Sequence, residues 1–287
     1  MPRGPRISYP GAVFHVLNRF VDRHPFFRTD DDYTGFLDIY FDVAKSYQMQ
    51  TYAYCLIPNH FHFCLETPTG DISNFLQRFL TRAAQTLNRR HGRVGHLFQG
   101  RSKTLLIETD AYLETVVGYV LLNGVRAKLA RNALSYKWCS AAEMLRRGQC
   151  RIDRHHLAEY LSGEEIEKDE VARQIRILRK WLNGMEAGQN KDAFDRAERH
   201  GSFMGSKEFR HRILRQEERR KKYMSPRRRR KQDRNPGDWN WNEICGTAKE
   251  IVQKMNQKTL RRWRNRASAH RQVSIFIAHE ISRWTYD

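Results

Sequence analysis

Thr51-Tyr52-Ala53-Tyr54-Cys55-Leu56-Ile57-Pro58-Asn59-His60-Phe61-His62-Phe63-Cys64-Leu65-Glu66-Thr67 reads as two strands folded back on one another. Both flanks are apolar and aromatic, the composition of a half-buried pleated surface. Pro58-Asn59 supplies the turn, since proline cannot donate to a central ladder. Side chains alternate faces along a strand, so His60, His62 and Glu66 share one face and Phe61 points to the other.

The neighbouring segments complete a pattern. Ala12 to Asn18 has strand character. Asp30-Asp31-Asp32 follows as a helix start, where carboxylates are favoured. Phe36, Leu37, Tyr40, Phe41, Ala44 and Tyr47 then recur at helical spacing. Beyond the hairpin, Asp71 caps a second helix with the stripe Ile72, Phe75, Leu76, Phe79, Ala83 and Leu87, and Gly92 lies past its end. Arg101 to Glu108 is a fourth strand. Thr109 or Asp110 caps a third helix reaching about Asn123. The order β-α-β-β-α-β-α predicts an α+β fold. Its first six elements form a ferredoxin-like antiparallel sheet with both crossover helices on one face.

After Cys150 the character changes, and a mostly helical C-terminal region is expected. Residues 1–150 form one domain in this reading, and 151–225 a charged helical region with Ile175, Leu178, Trp181 and Leu182 on one face. Residues 226–238, opening with Pro226 and a run of arginines, read as a basic linker. Residues 239–287 read as helical again.

The chain has 287 residues and a net charge of +20, with the excess heavier after residue 150. Such a surface attracts polyanions, and nucleic acid is the expected partner. A membrane is not, because the basic residues do not lie along one amphipathic helix and no apolar run is long enough to cross a bilayer. The N-terminus lacks the apolar core of a secretion signal. Five cysteines without a Cys-x-x-Cys read as reduced thiols, which predicts a cytoplasmic protein.

Cleaving a phosphodiester without a water nucleophile needs a metal, an in-line nucleophile and basic groups that hold the strand. His60 and His62 suit the metal. An oxygen ligand from Asn123 or Glu66 would complete the site. Tyr119 suits the nucleophile, because Asn123 at i+4 sets an oxygen beside the phenol, although Tyr112 competes for the role. Arg78, Arg82, Arg89, Arg90, Arg93, Arg101, Lys103, Arg126 and Lys128 provide a phosphate track, with Phe98 or Tyr112 for stacking. His15, His91 and His96 read as structural or phosphate-contacting.

With these residues in view the chain resembles the single-tyrosine HUH transposases, in their REP-associated tyrosine transposase branch. The resemblance rests on Tyr9-Pro10-Gly11 with Phe14-His15-Val16, on Tyr54 through His62, and on Asn88-Arg89-Arg90-His91-Gly92. It continues through Gly95 to Arg101 and Tyr119 to Asn123 with Val125-Arg126-Ala127, and spans roughly residues 5–145. It implies that His60, His62 and Asn123 bind Mg²⁺ or Mn²⁺. It implies that Tyr119 attacks single-stranded DNA, leaving a 5′-phosphotyrosine and a free 3′-hydroxyl. It also implies palindromic hairpin substrates, held by the basic arm with Arg3 and Arg6 and by the basic helix. One departure is Gly124, where the family usually carries proline. Residues 239–287 resemble the opening helices of a DnaA-type helix-turn-helix.

Two rival classes remain. A catalytically silent nucleic-acid-binding regulator derived from a transposase needs no intact His60, His62, Tyr119 and Asn123. A replication initiator or relaxase of the wider HUH class would be supported by a helicase segment, and no Gly-Lys-Ser/Thr P-loop is present. The sequence leaves open monomer or homodimer, and whether Tyr119 serves its own histidines or a partner's.

Overall fold

The computed structural model describes residues 6–185, 193–197 and 199–223. Arg3, the expected linker 226–238 and the expected helical segment 239–287 lie outside them. The chain divides into two compact units, one ending at Gly205 and one beginning at Ser206.

In the first unit the strands are β1 (Ala12–Arg19), β2 (Gln50–Ile57), β3 (His60–Thr67) and β4 (Lys103–Ile107), with α1 (Asp30–Ser46) and α2 (Ile72–Arg90) as crossovers. α3 (Thr109–Leu121) follows β4, then α4 (Asn123–Arg126), α5 (Ala141–Met144), α6 (Arg154–Ser162), α7 (Val171–Gly184) and α8 (Ala193–Arg196). Two short strands close the unit, β5 (Arg199–His200) and β6 (Phe203–Met204). In the second unit α9 (Lys207–Tyr223) is a charged helix, and Ser206 Oγ accepts from the Phe209 N–H at 3.0 Å.

The sheet order is β2-β3-β1-β4-β6-β5. Its first four strands are antiparallel throughout, in the expected ferredoxin-like order. The sheet as a whole is mixed, because β6 pairs with β4 in parallel through Leu106 and Ile107. Phe203 and Met204 bury their side chains there, while Gly201 (φ 69°) makes the two-residue turn from β5. Strands of two residues carry no periodicity, so a reading by pattern assigns that region to helix.

The hairpin divides the first unit into layers. Phe61 and Phe63 face α1 and α2. The Tyr40 and Phe63 rings stack at 3.9 Å, and Phe79 packs against Phe36, Phe61 and Phe63. This wholly buried aromatic block is the main core, and removing one such ring costs about 3–5 kcal/mol. The opposite face carries His60, His62, Cys64 and Glu66, and α3 packs there. α1 begins with a capping box in which the Thr29 side chain accepts from the third turn position and Asp32 accepts from the Thr29 N–H. The expected cap of α3 shifts by one residue, since Glu108 occupies the cap position and Thr109 is already helical. β4 is shorter than expected because the Asn18 amide donates to the Gly100 carbonyl at 3.0 Å and to Ser102 Oγ at 3.2 Å, which takes the segment before Lys103 out of regular pairing.

Candidate functional site

β1 is central, and its register sets the site. Leu17 lies opposite His62, Arg19 opposite His60, and His15 opposite Cys64. Cross-strand partners share a face. His15, Leu17 and Arg19 therefore stand on the histidine face, while Phe14, Val16 and Asn18 join the aromatic core.

His15 and His62 stack at 5.2 Å with His15 Nε2 2.9 Å from His62 Nδ1. Both are almost fully buried. Burial lowers His15 to about 3 with a contribution from Arg199, and drives His62 well below its ordinary range, helped by the charges of His15, His60 and Arg19. Burial also lowers His60 to about 4, with Arg19 adding to the effect. All three rings are thus neutral at physiological pH, the state in which imidazole binds a metal. His60 Nδ1 lies 2.6 Å from Asn59 Oδ1, so it must donate, which leaves its Nε2 lone pair outward. His62 Nε2 is buried and has no hydrogen-bond partner. An orphaned nitrogen in a neutral ring pair is what a cation-binding site leaves behind, and the residues fit a divalent ion.

Tyr119, on α3, reaches the same place. Its ring centroid lies 5.7 Å from those of His15 and His62, edge-on to both. Tyr112, seven residues earlier, is about 10 Å back along the helix. The structure thus brings His60, His62 and Tyr119 of one chain together. Burial raises the Tyr119 phenol. Arg126, Arg199 and Arg19 pull it down and Asp195 adds to the rise.

Asn123 follows the α3–α4 junction at Leu122. It is buried, and its amide nitrogen donates to the Tyr119 carbonyl at 2.8 Å, which fixes the amide plane one turn from the nucleophile candidate. Glu66 is four residues from His62, about 13 Å along the strand, and accepts from Tyr52 Oη at 2.6 Å. Of the two oxygen ligands weighed from sequence, distance disfavours Glu66. At Gly124 an added Cβ would meet Tyr136 Cδ1 at 2.4 Å. The Tyr136 ring, whose hydroxyl donates to the Leu56 carbonyl at 2.7 Å, fills the space a side chain would need.

The basic residues separate by layer. Arg126 places its guanidinium 5.2 Å from the Tyr119 ring centre. Lys103 pairs with Leu17 and so shares the histidine face, exposed. Arg6 donates to the Ser102 carbonyl at 3.0 Å, and Arg101 is exposed nearby. Arg78, Arg82, Arg89 and Arg90 project from α2, in the layer behind the sheet. Arg82 pairs with Asp42 and Arg90 lies 3.4 Å from Asp32, so these two tie α2 to α1.

Pattern reading missed four participants. Arg19 ends β1, and a lone arginine at a strand end carries no signal. Phe194 stacks on Tyr119 at 3.6 Å, Asp195 pairs with Arg126 at 2.5 Å, and Arg199 lies 4.2 Å over Phe194. All three sit in the segment read as charged helix. A second group, Asp153, His155 and His156, holds ligand-type atoms within 4.8 Å of one another. Asp153 is the N-cap of α6 and accepts from the His156 N–H at 3.2 Å, which accounts for the cluster as a cap.

Among the described residues no helix is long and apolar enough to cross a membrane. Residues 8–122 match the family described as Transposase IS200 like. No curated protein sequence matches the chain. The solved structure of the REP-associated tyrosine transposase bound to a REP hairpin is similar at 15% identity, over 49% of this chain and 82% of its own, with a TM-score of 0.43. A protein from Deinococcus radiodurans R1 described as a transposase matches at 19% identity, over 45% of this chain and 92% of its own, with a TM-score of 0.31.

Proposed function

We propose that this chain, whose residues 8–122 match the family described as Transposase IS200 like, cleaves and rejoins single-stranded DNA through a covalent bond to Tyr119. The observation that carries the reading is the meeting of the Tyr119 ring with the neutral His15–His62 pair at 5.7 Å, beside the orphaned His62 Nε2.

His60 and His62 would hold Mg²⁺ or Mn²⁺ through their Nε2 atoms, with Asn123 supplying oxygen. When bound, the ion neutralises the non-bridging phosphate oxygens and polarises phosphorus. The protein contributes the rest. Tyr119 Oη attacks phosphorus as its proton leaves. The bond to the 3′ oxygen breaks, that oxygen takes up a proton, and the phosphate stays on the phenol as a 5′-phosphotyrosine. Asn59 and His15 hold the two imidazoles in place. Stem-loop DNA is the substrate class implied by the resemblance. Arg6, Arg101 and Lys103 line its path near the site, and Arg78 and Arg89 offer exposed charge on the far layer for the stem.

Incubation of the protein with labelled stem-loop DNA and Mn²⁺ should yield a covalent protein–DNA adduct that survives denaturation. Tyr119→Phe should abolish the adduct and preserve binding. An adduct that persists in Tyr119→Phe moves the nucleophile elsewhere. Binding without an adduct under any divalent ion favours the silent regulator.

A further inference from the structure

Around the Tyr119 ring the structure gathers three guanidiniums, one carboxylate and one aromatic ring. Arg126 Nη2 lies 2.5 Å from Asp195 Oδ2 while its guanidinium carbon sits 5.2 Å from the Tyr119 ring centre. Arg199 lies 3.8 Å from Asp195 Oδ1, donates to the Phe194 carbonyl and covers the Phe194 ring at 4.2 Å. Phe194 in turn lies on Tyr119 at 3.6 Å, with the rings 14° from parallel, and touches His15 edge-on at 5.5 Å. Arg19 stands on the same face, opposite His60.

Guanidiniums recognise phosphate by charge-assisted, often bidentate hydrogen bonds, and aromatic faces take a stacked base. Phe194 and Asp195 are adjacent residues that present a flat ring and an anion to those same partners. One nucleotide presents the same two groups. We propose that Arg126 and Arg199 form a phosphate clamp beside the Tyr119 hydroxyl, and that Phe194-Asp195 fills this nucleotide subsite in the free chain until DNA displaces it.

The ion pairs suit a replaceable occupant. The Asp195 side chain is 51% exposed, and Arg126 and Arg199 are 33% and 36% exposed. Pairs this open hold weakly against salt and against a competing anion. A DNA phosphodiester presents two anionic oxygens, as the Asp195 carboxylate does with one toward each arginine, so it can replace Asp195 on both. Arg199 and the Phe194-Asp195 pair also lie beyond residues 8–122, so they add to the matched segment instead of repeating it.

The clamp rests on the proposed function for its orientation toward Tyr119, but its test does not need cleavage. Binding of a fluorescein-labelled stem-loop with a single-stranded 5′ extension is measured in EDTA, with full-length protein. Asp195→Asn keeps the shape and removes the competing charge, and should tighten binding about two- to fivefold. Arg199→Ala should weaken it by a similar factor, with Arg199→Lys in between because the ammonium keeps charge without the fork. Asp195→Asn binding that is unchanged or weaker, whether or not the melting temperature falls, overturns the clamp and leaves the salt bridge as structural. Tighter binding by Asp195→Asn with no covalent adduct from any variant in Mn²⁺ upholds the clamp and defeats the nuclease. Adduct formation that is lost in Tyr119→Phe but unaltered in Asp195→Asn and Arg199→Ala, with unchanged EDTA binding, does the reverse.

Discussion

Which nitrogen of His62 carries its proton depends on His15. If His62 Nδ1 donates across the 2.9 Å contact, its Nε2 presents a lone pair to the site and His15 is the acceptor. Replacing His15 with leucine keeps the burial and removes that acceptor. Mn²⁺ affinity should then fall about 10- to 100-fold, the usual effect of losing a partner behind a metal ligand. A Mn²⁺ titration of His15→Leu that matches the parent would remove His15 from the site. Gly124 makes a second residue-scale prediction. With Tyr136 Cγ only 2.7 Å from where a Cβ would stand, Gly124→Ala forces a buried ring to move. It should lower stability by about 1–3 kcal/mol in urea unfolding, whereas alanine at the open Gly148 should change little.

At the scale of elements, the start of α1 is tied to pH through Asp32. Burial opposes its charge, but N–H groups of Arg28 (2.9 Å) and Thr29 (3.0 Å) donate to Oδ2, and Arg90 and His91 approach Oδ1 at 3.4 and 3.2 Å. The net effect holds Asp32 below the usual aspartate value. A carboxyl depressed in the folded state stabilises above its unfolded pKa of about 3.9, and that contribution fades as pH falls through the folded value. Acid unfolding below about pH 4 should therefore be shallower in Asp32→Asn, which should also lose roughly 1 kcal/mol at neutral pH. Parallel acid-unfolding curves for the two proteins would show that the cap does not carry this dependence. The same elements show what pattern reading can reach. α1 and α2 were legible because their apolar residues recur over four or five turns, and the hairpin because Pro58-Asn59 punctuates two runs of eight residues. β5 and β6 were not, since two residues hold no period and their pairing depends on Leu106 and Ile107, nearly a hundred residues earlier. His60, His62 and Tyr119 could be nominated from spacing. His15 as their neighbour could not, because only the β1 register carries it to His62.

At the largest scale, the sheet of the first unit acts as a partition. Charge alone, at +20, predicts that DNA binds, but it does not say where. The layers do: Arg19 and Lys103 stand on the histidine face, and Arg78 and Arg89 stand on α2 behind the aromatic core. A short single strand engaged at Tyr119 should feel only the first pair. Each lost phosphate contact lowers the slope of log affinity against log salt by about 0.7 for single-stranded DNA. Arg19→Ala with Lys103→Ala should therefore flatten that slope by roughly 1.4 on a ten-nucleotide strand. Arg78→Ala with Arg89→Ala should leave the slope as it was. On a stem-loop long enough to wrap the sheet, the second pair should begin to matter, because a duplex stem brings phosphates to the far layer. Equal flattening by both pairs on the short strand would mean that the strand does not run along the histidine face, and the placement of Tyr119 as its end point would have to be abandoned with it.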